Sequence, residues 1–299
     1  MSSDGAHRRA ARRAINPPAN HVLQEPFLDR DLPPRSALAA DVNTAPAVQS
    51  ACFSRREPLA NYLERLDYVS SSVLRRFARS GASPSVLTPS PVPKEATIGD
   101  ALHALLLEPE RFGDHYFAAG TVGEPPPDST GSDPAGRTWL SADTCASLEA
   151  MRNGILQYSR APLSRWLADG EKELSIYWTD RSGGRWKGWP DCFSADVILE
   201  LKTAQDPRIS QFARSRRRYG YDLQAAHYVE AVAQLTGRQP RFVYVAVESV
   251  KPHTVWVYEL STDELSRARD ALQALKDRFV DAFDPACTSL ADAGASTRS

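Results

Sequence analysis

Apolar and polar positions alternate through three short runs, residues 173–180, 185–193 and 197–204, and this alternation predicts three strands. Ser182-Gly183-Gly184 supplies a turn between the first two, and Ser194-Ala195-Asp196 a second turn. On either side the period becomes helical. Val73, Leu74 and Phe77 are spaced as one helical face, which predicts a helix over 70–79 with Ser70 or Ser72 as its cap. A clearer helix opens at Thr97. Asp100 lies in its first turn, Ile98, Ala101, Leu102, Leu105 and Leu106 form its apolar face, and Pro109 ends it. Another helix is expected within 141–168. After the strands come a helix over 222–236 that stops at Gly237, two strands at 241–248 and 254–260, and a final helix over 262–283. The order predicts an α/β fold: a mixed central β-sheet flanked by helices, with a helical elaboration on its N-terminal side.

The remaining stretches lack such periods. Residues 83–93 and 120–137 are rich in Pro, Gly and Ser and read as loops. Residues 1–55 open with Arg8, Arg9, Arg12 and Arg13, turn rich in Pro and Ala, and are expected to be a poorly ordered, solvated tail. Residues 286–299 read as a flexible C-terminal tail, which leaves 56–285 as the folded domain. With 299 residues, 42% of them hydrophobic, the chain can bury a substantial core. Its net charge of −1 provides no overall field for a polyanion, so any nucleic-acid contact must come from local basic patches. Cys52, Cys145, Cys192 and Cys287 are scattered with no CxxC or zinc spacing, which disfavours a structural zinc or iron–sulfur site. With no apolar run of membrane-spanning length and no secretory h-region, a cytoplasmic protein without a membrane partner is expected.

The chemistry concentrates in Arg185–Ala204. In the third strand Ile198, Glu200 and Lys202 point to one face, and Val197, Leu199 and Leu201 to the other. A carboxylate and an ammonium on an otherwise apolar strand need partners or a metal if they are buried. A turn centred between Ala195 and Asp196 would set Asp191 directly opposite Glu200. Two like charges there repel, and a divalent cation reverses that interaction. Mg²⁺ favours such carboxylates with open water positions. A slip of one residue would move Asp191 to the other face. Taken singly, either acid reads as an exposed charge on an ordinary edge hairpin. On the next helix Gln224 and Tyr228 share a face, four residues apart.

Together, Asp191, Glu200-Leu201-Lys202 and the Gln224-x-x-x-Tyr228 pair resemble the PD-(D/E)XK nuclease superfamily, with its restriction-endonuclease-like core. The likeness is greatest to the exonuclease VIII (RecE-like) branch of phage and prophage recombination exonucleases. It extends to Tyr68–Leu74, to the Gly99-x-x-x-His103 helix that ends in Leu107-Glu108-Pro109, to the Glu173-Leu-Ser-Ile-Tyr-Trp segment and to Val247–Pro252. The resemblance implies that Asp191 and Glu200 are metal ligands, joined by His103 and the Leu201 carbonyl, and that Lys202 is the catalytic lysine. It implies that Gln224 and Tyr228 support the site and contact DNA. By spacing alone His103 would be a packed helix residue. Where the family often has an Arg before its Asp, this chain has Lys187-Gly188-Trp189-Pro190-Asp191, so Lys187 is grouped with the DNA-binding or supporting residues. At the third position close relatives often have Asp, and this chain has Glu200.

Arg214, Arg216, Arg217 and Arg218, with Arg208 before them and Tyr219 and Tyr221 after, form the basic patch nearest the site. Arg75, Arg76 and Arg79 form a second. The tyrosines can stack on unpaired bases or simply pack. The implied activity is Mg²⁺-dependent (Mn²⁺ as substitute) exonucleolytic cleavage of linear double-stranded DNA from its ends, 5′ to 3′. The implied partners are a single-strand annealing protein and further copies of the chain in a homo-oligomer. The alternatives are an endonuclease or repair nuclease of the same superfamily, or a non-catalytic DNA-binding protein that retains the fold.

Overall fold

The computed structural model describes residues 52–81, 87, 98–118, 132–133 and 136–283. The arginine-rich start of the chain, the C-terminal tail, Thr97 and most of the two expected loops lie outside these residues. The elements follow in chain order: β1 (Cys52–Arg55), α1 (Leu59–Glu64), β2 (Val69–Ser70), α2 (Ser71–Ser80), α3 (Ile98–Leu107), a 3-10 turn at Pro109–Arg111, α4 (Phe112–His115), β3 (Tyr116–Ala118), β4 (Thr138–Leu140), α5 (Ala142–Leu156), α6 (Leu163–Asp169), β5 (Glu171–Lys172), β6 (Ser175–Thr179), β7 (Arg185–Gly188), β8 (Cys192–Phe193), β9 (Val197–Ala204), α7 (Ile209–Tyr219), α8 (Tyr221–Thr236), β10 (Arg241–Glu248), β11 (Val255–Glu259) and α9 (Thr262–Ala282).

The central sheet is mixed, as the pattern predicts. Its order is β11-β10-β9-β8-β5, with β9 and β10 parallel and the other pairs antiparallel. Parallel strands need a crossover, and α7 and α8 provide it. A second sheet, β1-β6-β7-β2, is also mixed. The three strands expected in a row are therefore divided between two sheets. The run 185–193 is not one strand: it breaks after Gly188 and resumes at Cys192. Pro190 lies in the gap and has no N–H to give a ladder.

Helices cover both faces of the central sheet. Ile198, Phe242, Tyr244 and Ala246 pack with Leu74 and Phe77 of α2, Val229 and Val232 of α8, and Leu272 and Phe279 of α9. Val197, Leu199, Leu201, Val243 and Val245 pack with Leu102 of α3, Met151 and Ile155 of α5, and Leu163 and Trp166 of α6. The strand β9 therefore serves two cores, one for each set of alternating side chains. Its charged pair, Glu200 and Lys202, shares a face with Ile198.

Other departures have local causes. The single helix expected within 141–168 is two helices, α5 and α6, separated at the Ser159–Pro162 segment, where Pro162 precedes α6. Residues 52–55, expected in the tail, form β1 against β6. The helix α7 was not expected. Phe212 is its one buried residue, so its sequence carries no apolar stripe to read. The expected Ser70 cap is present: its hydroxyl accepts from the Val73 amide at 3.5 Å. The final helix starts with a complete capping box between Ser261 and Glu264.

Candidate active site

The hairpin of β8 and β9 pairs Cys192 with Leu199 and Phe193 with Ile198. Carried one residue further, this register sets Asp191 opposite Glu200, the alignment that the turn Ser194-Ala195-Asp196 predicted. Asp191 is buried. Its Oδ2 accepts from the Leu201 amide at 2.6 Å and lies 3.0 Å from His103 Nε2. In an extended strand the N–H and C=O of one residue point to the same edge. The Leu201 carbonyl therefore lies on the Asp191 side of β9.

His103 reaches the sheet from α3. Its Nδ1 is 2.8 Å from the Gly99 carbonyl, one helical turn back. That bond calls for a proton on Nδ1 and orients Nε2 towards Asp191. Metal-ligating histidines are commonly held this way, by a hydrogen bond from the other ring nitrogen. Burial alone would lower the His103 pKa, but the Asp191 carboxylate overrides it and raises it to about 9. In return His103, with Lys202 and the Leu201 amide, outweighs the desolvation of Asp191 and holds its carboxyl below the ordinary value.

Glu200 and Lys202 form the second ion pair, Nζ to Oε1 at 2.7 Å. Glu200 is 2% exposed, and its Oε2 is buried without a hydrogen-bond partner among the described residues. Burial, reinforced by the Asp191 charge, raises the Glu200 pKa to about 7. For Lys202, Glu200 and Asp191 outweigh burial and hold the ammonium above its ordinary pKa. Its Nζ lies 5.0 Å from the centre of the Tyr221 ring, at the start of α8.

Gln224 and Tyr228 are both buried, and Gln224 Nε2 donates to the Tyr228 hydroxyl at 3.1 Å. Gln224 Oε1 is a further buried oxygen with no partner among the described residues. Burial and the nearby Glu200 charge push the Tyr228 pKa far up, so its phenol stays neutral. Gly188 makes room for this tyrosine: a Cβ there would sit 3.3 Å from the Tyr228 ring.

A third acid belongs to this neighbourhood, and spacing did not single it out. Glu173 takes a left-handed backbone, φ 49°, which is uncommon for a residue with a side chain. Its amide donates to the Asp191 carbonyl at 3.1 Å, and its carboxylate accepts from the Trp189 indole. Burial, then the Asp191 charge, raises its pKa to about 8. In sequence it is one acid ahead of an apolar strand. Its segment, Glu173-Leu-Ser-Ile-Tyr-Trp, carries part of the family resemblance, which implies no role for Glu173 itself.

Two of the expected DNA contacts are taken by the fold. Lys187 is 4% exposed and donates to the Tyr62 and Arg65 carbonyls at 2.5 and 2.8 Å. It ties β7 to α1 and the turn after it. Arg216 is held by Asp222 at 2.7 Å and Glu264 at 3.1 Å. It clamps α7 to α8 and α9. Arg208 is occupied by Asp206. Arg214, Arg217 and Arg218 are exposed. Arg214 and Arg218, but not Arg217, line a cavity that begins at Lys202.

Among the described residues no three His, Cys, Asp or Glu side chains form a ready metal cluster. They stand instead as two ion pairs. The residues nevertheless fit a hard divalent cation. Asp191 and Glu200 offer carboxylate oxygens, one of them buried and unpartnered, and His103 offers an oriented nitrogen. No helix among the described residues is long and apolar enough to cross a membrane.

The family described as "PDDEXK-like domain of unknown function (DUF3799)" matches residues 70–284. No curated protein matches the chain in sequence. Among solved structures, the fold is similar to the crystal structure of "Putative exonuclease" from Eubacterium rectale. The TM-score is 0.53 at 15% identity, over 76% of this chain and 86% of that one. At that identity the likeness concerns the fold. The family match spans most of the chain and includes His103, Asp191, Glu200 and Lys202, so this protein belongs to the PDDEXK-like family DUF3799, within the PD-(D/E)XK nuclease superfamily.

Proposed function

We propose that the protein is a metal-dependent deoxyribonuclease that degrades linear double-stranded DNA from its ends, with Mg²⁺ as the metal and Mn²⁺ as a substitute. The observation that carries this reading is the unpartnered Oε2 of Glu200. A buried carboxylate oxygen without a donor is costly, and a cation shared with Asp191 removes the cost. Asp191 and Glu200 would hold the metal, with His103 Nε2 and the Leu201 carbonyl on the Asp191 side. A bound divalent cation polarises the scissile phosphate and lowers the pKa of the attacking water. Lys202 stays charged beside Glu200, where it would orient that water and offset the negative charge developing on the phosphate. Gln224 and Tyr228 would support the carboxylates from α8.

The neighbour described as an exonuclease supports action at ends. The finer reading follows the RecE-like resemblance: 5′-to-3′ resection by a homo-oligomer, in the cytoplasm, feeding a single-strand annealing protein. The test is digestion of end-labelled linear duplex and covalently closed circular duplex with Mg²⁺ or with EDTA. Loss of linear DNA with Mg²⁺ only, abolished in Asp191→Ala, is the expected result. Equal cleavage of closed circles would replace the exonuclease with an endonuclease. Equal cleavage by wild type and Asp191→Ala would remove the site altogether.

A further inference from the structure

The cavity that begins at Lys202 has a volume of about 490 Å³ and is bounded by the end of β9, the segment after it, and α7. This lies within the roughly 300–1,000 Å³ of pockets that take small molecules. Gln211, Arg214, Ser215 and Arg218 line it from α7. They are spaced three and four apart, so they share one helical face. Phe212 lines the cavity too, as the buried residue of α7, while Arg216 of the same helix turns away to Asp222 and Glu264. Among the described residues neither Arg214 nor Arg218 meets a carboxylate in an ion pair. Asp206 also lines the cavity, but Arg208 neutralises it at 2.5 Å.

Two tyrosines also line the cavity. Tyr219 and Tyr221 stack on each other at 5.6 Å with 29° between their planes. Tyr219 is 45% exposed, so part of its ring faces solvent. Its ring also carries the Arg218 guanidinium at 5.5 Å. The backbone beneath is rigidly held. Arg75 of α2 donates to the Tyr219 carbonyl at 2.9 Å, and Gly220 links α7 to α8 in a left-handed conformation, φ 65°. A Cβ at Gly220 would lie 2.9 Å from the Arg75 side chain. Cations that track a backbone, beside an exposed aromatic face, are the parts of a single-strand site. Inside a duplex both faces of a base are covered by its neighbours, and a cavity of about 490 Å³ is sized for a single nucleotide rather than for the end of a duplex.

We infer that this cavity binds an unpaired nucleotide of the cleaved strand next to the scissile phosphate, its base on Tyr219 and its phosphate between Arg214 and Arg218. The inference rests on the nuclease reading for the identity of the strand. It requires the end of a duplex to fray before cleavage, and it makes a short single strand a ligand in its own right.

The test is binding of 5′-labelled tetrathymidylate to the full chain in EDTA, by fluorescence anisotropy, at several salt concentrations. Because no cleavage is read, failure of the nuclease activity and failure of this site are separate results. Tyr219→Leu should weaken binding about 10-fold, in keeping with the loss of one stacked base. Arg214→Gln and Arg218→Gln should each weaken it and lower the slope of log affinity against log salt by about 0.7, the value for one phosphate of a single strand. Arg217→Gln, on the same helix but outside the cavity, should stay within about twofold of wild type, on that same scale. Unchanged binding by Tyr219→Leu would overturn the stacking role. A loss in Arg217→Gln equal to that in Arg218→Gln would reduce the site to diffuse attraction. Tighter binding of a blunt hairpin duplex than of tetrathymidylate, with equal losses in all three arginine variants, would overturn the unpaired nucleotide.

Discussion

His227 offers a quantitative test of how α8 is fixed behind the site. It is fully buried, donates from Nε2 to the Lys187 carbonyl at 2.9 Å, and packs on the Trp178 ring at 4.8 Å. Its Nδ1 has no partner among the described residues. Burial, aided by the nearby Lys276 charge, lowers its pKa from 6.5 to about 3. The ring is therefore neutral in the fold, whereas in the unfolded chain it takes up a proton near pH 6.5. Between those values the unfolded state binds more protons, so stability is full above 6.5 and drains as the pH falls towards 3. At about 1.4 kcal/mol per unit, the loss from this group between pH 8 and pH 5 is about 2 kcal/mol. His227→Gln keeps an N–H donor and removes the titration. The assay is urea unfolding of both proteins in EDTA at pH 8 and pH 5. Other titrating groups, including Glu173 and Glu200, act alike in both proteins and cancel in the double difference. Wild type should lose about 2 kcal/mol more than His227→Gln over this range. A double difference below about 0.5 kcal/mol, within the usual limits of additivity, would refute the buried neutral ring.

Three further outcomes are expected. Mg²⁺ or Mn²⁺ at about 100 times its dissociation constant should stabilise the protein by about 2.7 kcal/mol in a thermal-shift assay, and Glu200→Gln should remove most of that gain; no shift in wild type would remove the metal site. Lys187→Met removes two charge-assisted hydrogen bonds, leaves the Tyr62 and Arg65 carbonyls only their backbone bonds at 3.3 Å, and should cost about 1–3 kcal/mol in chemical denaturation. DNA affinity per folded molecule should be unchanged, and a selective loss of affinity would restore Lys187 as a phosphate contact. Arg216→Ala should lower stability by about 1–2 kcal/mol, discounted for the part exposure of Asp222 and Glu264. The salt dependence of DNA binding should stay as in wild type, and a flatter one would make Arg216 a DNA contact.

Much of the site is legible along the chain because it lies within one hairpin and one helix. Alternation places Glu200 and Lys202 on one face of β9, and the turn Ser194-Ala195-Asp196 sets the register that brings Asp191 opposite Glu200. The same local logic finds α2, α3, α8 and α9, whose apolar stripes repeat at the helical period. It misses α7, where the stripe is reduced to Phe212, and it reads through the break at Pro190, because the residues on both sides still alternate.

Contacts over long separations leave no such trace. His103 meets Asp191 across 88 positions, and Arg216 meets Glu264 across 48. Nothing around Lys187 in the chain announces the carbonyls of Tyr62 and Arg65, and nothing around Glu173 announces Asp191. Periodicity reports which way a side chain points relative to its own element. Whether a charge ends in water, in an ion pair or beside a metal depends on what the fold brings to it. The sequence by itself determined the face shared by Glu200 and Lys202 and the candidate place of Asp191. Only the tertiary structure separated the arginines that clamp helices from those that line the cavity, and left Glu200 Oε2 buried without a partner.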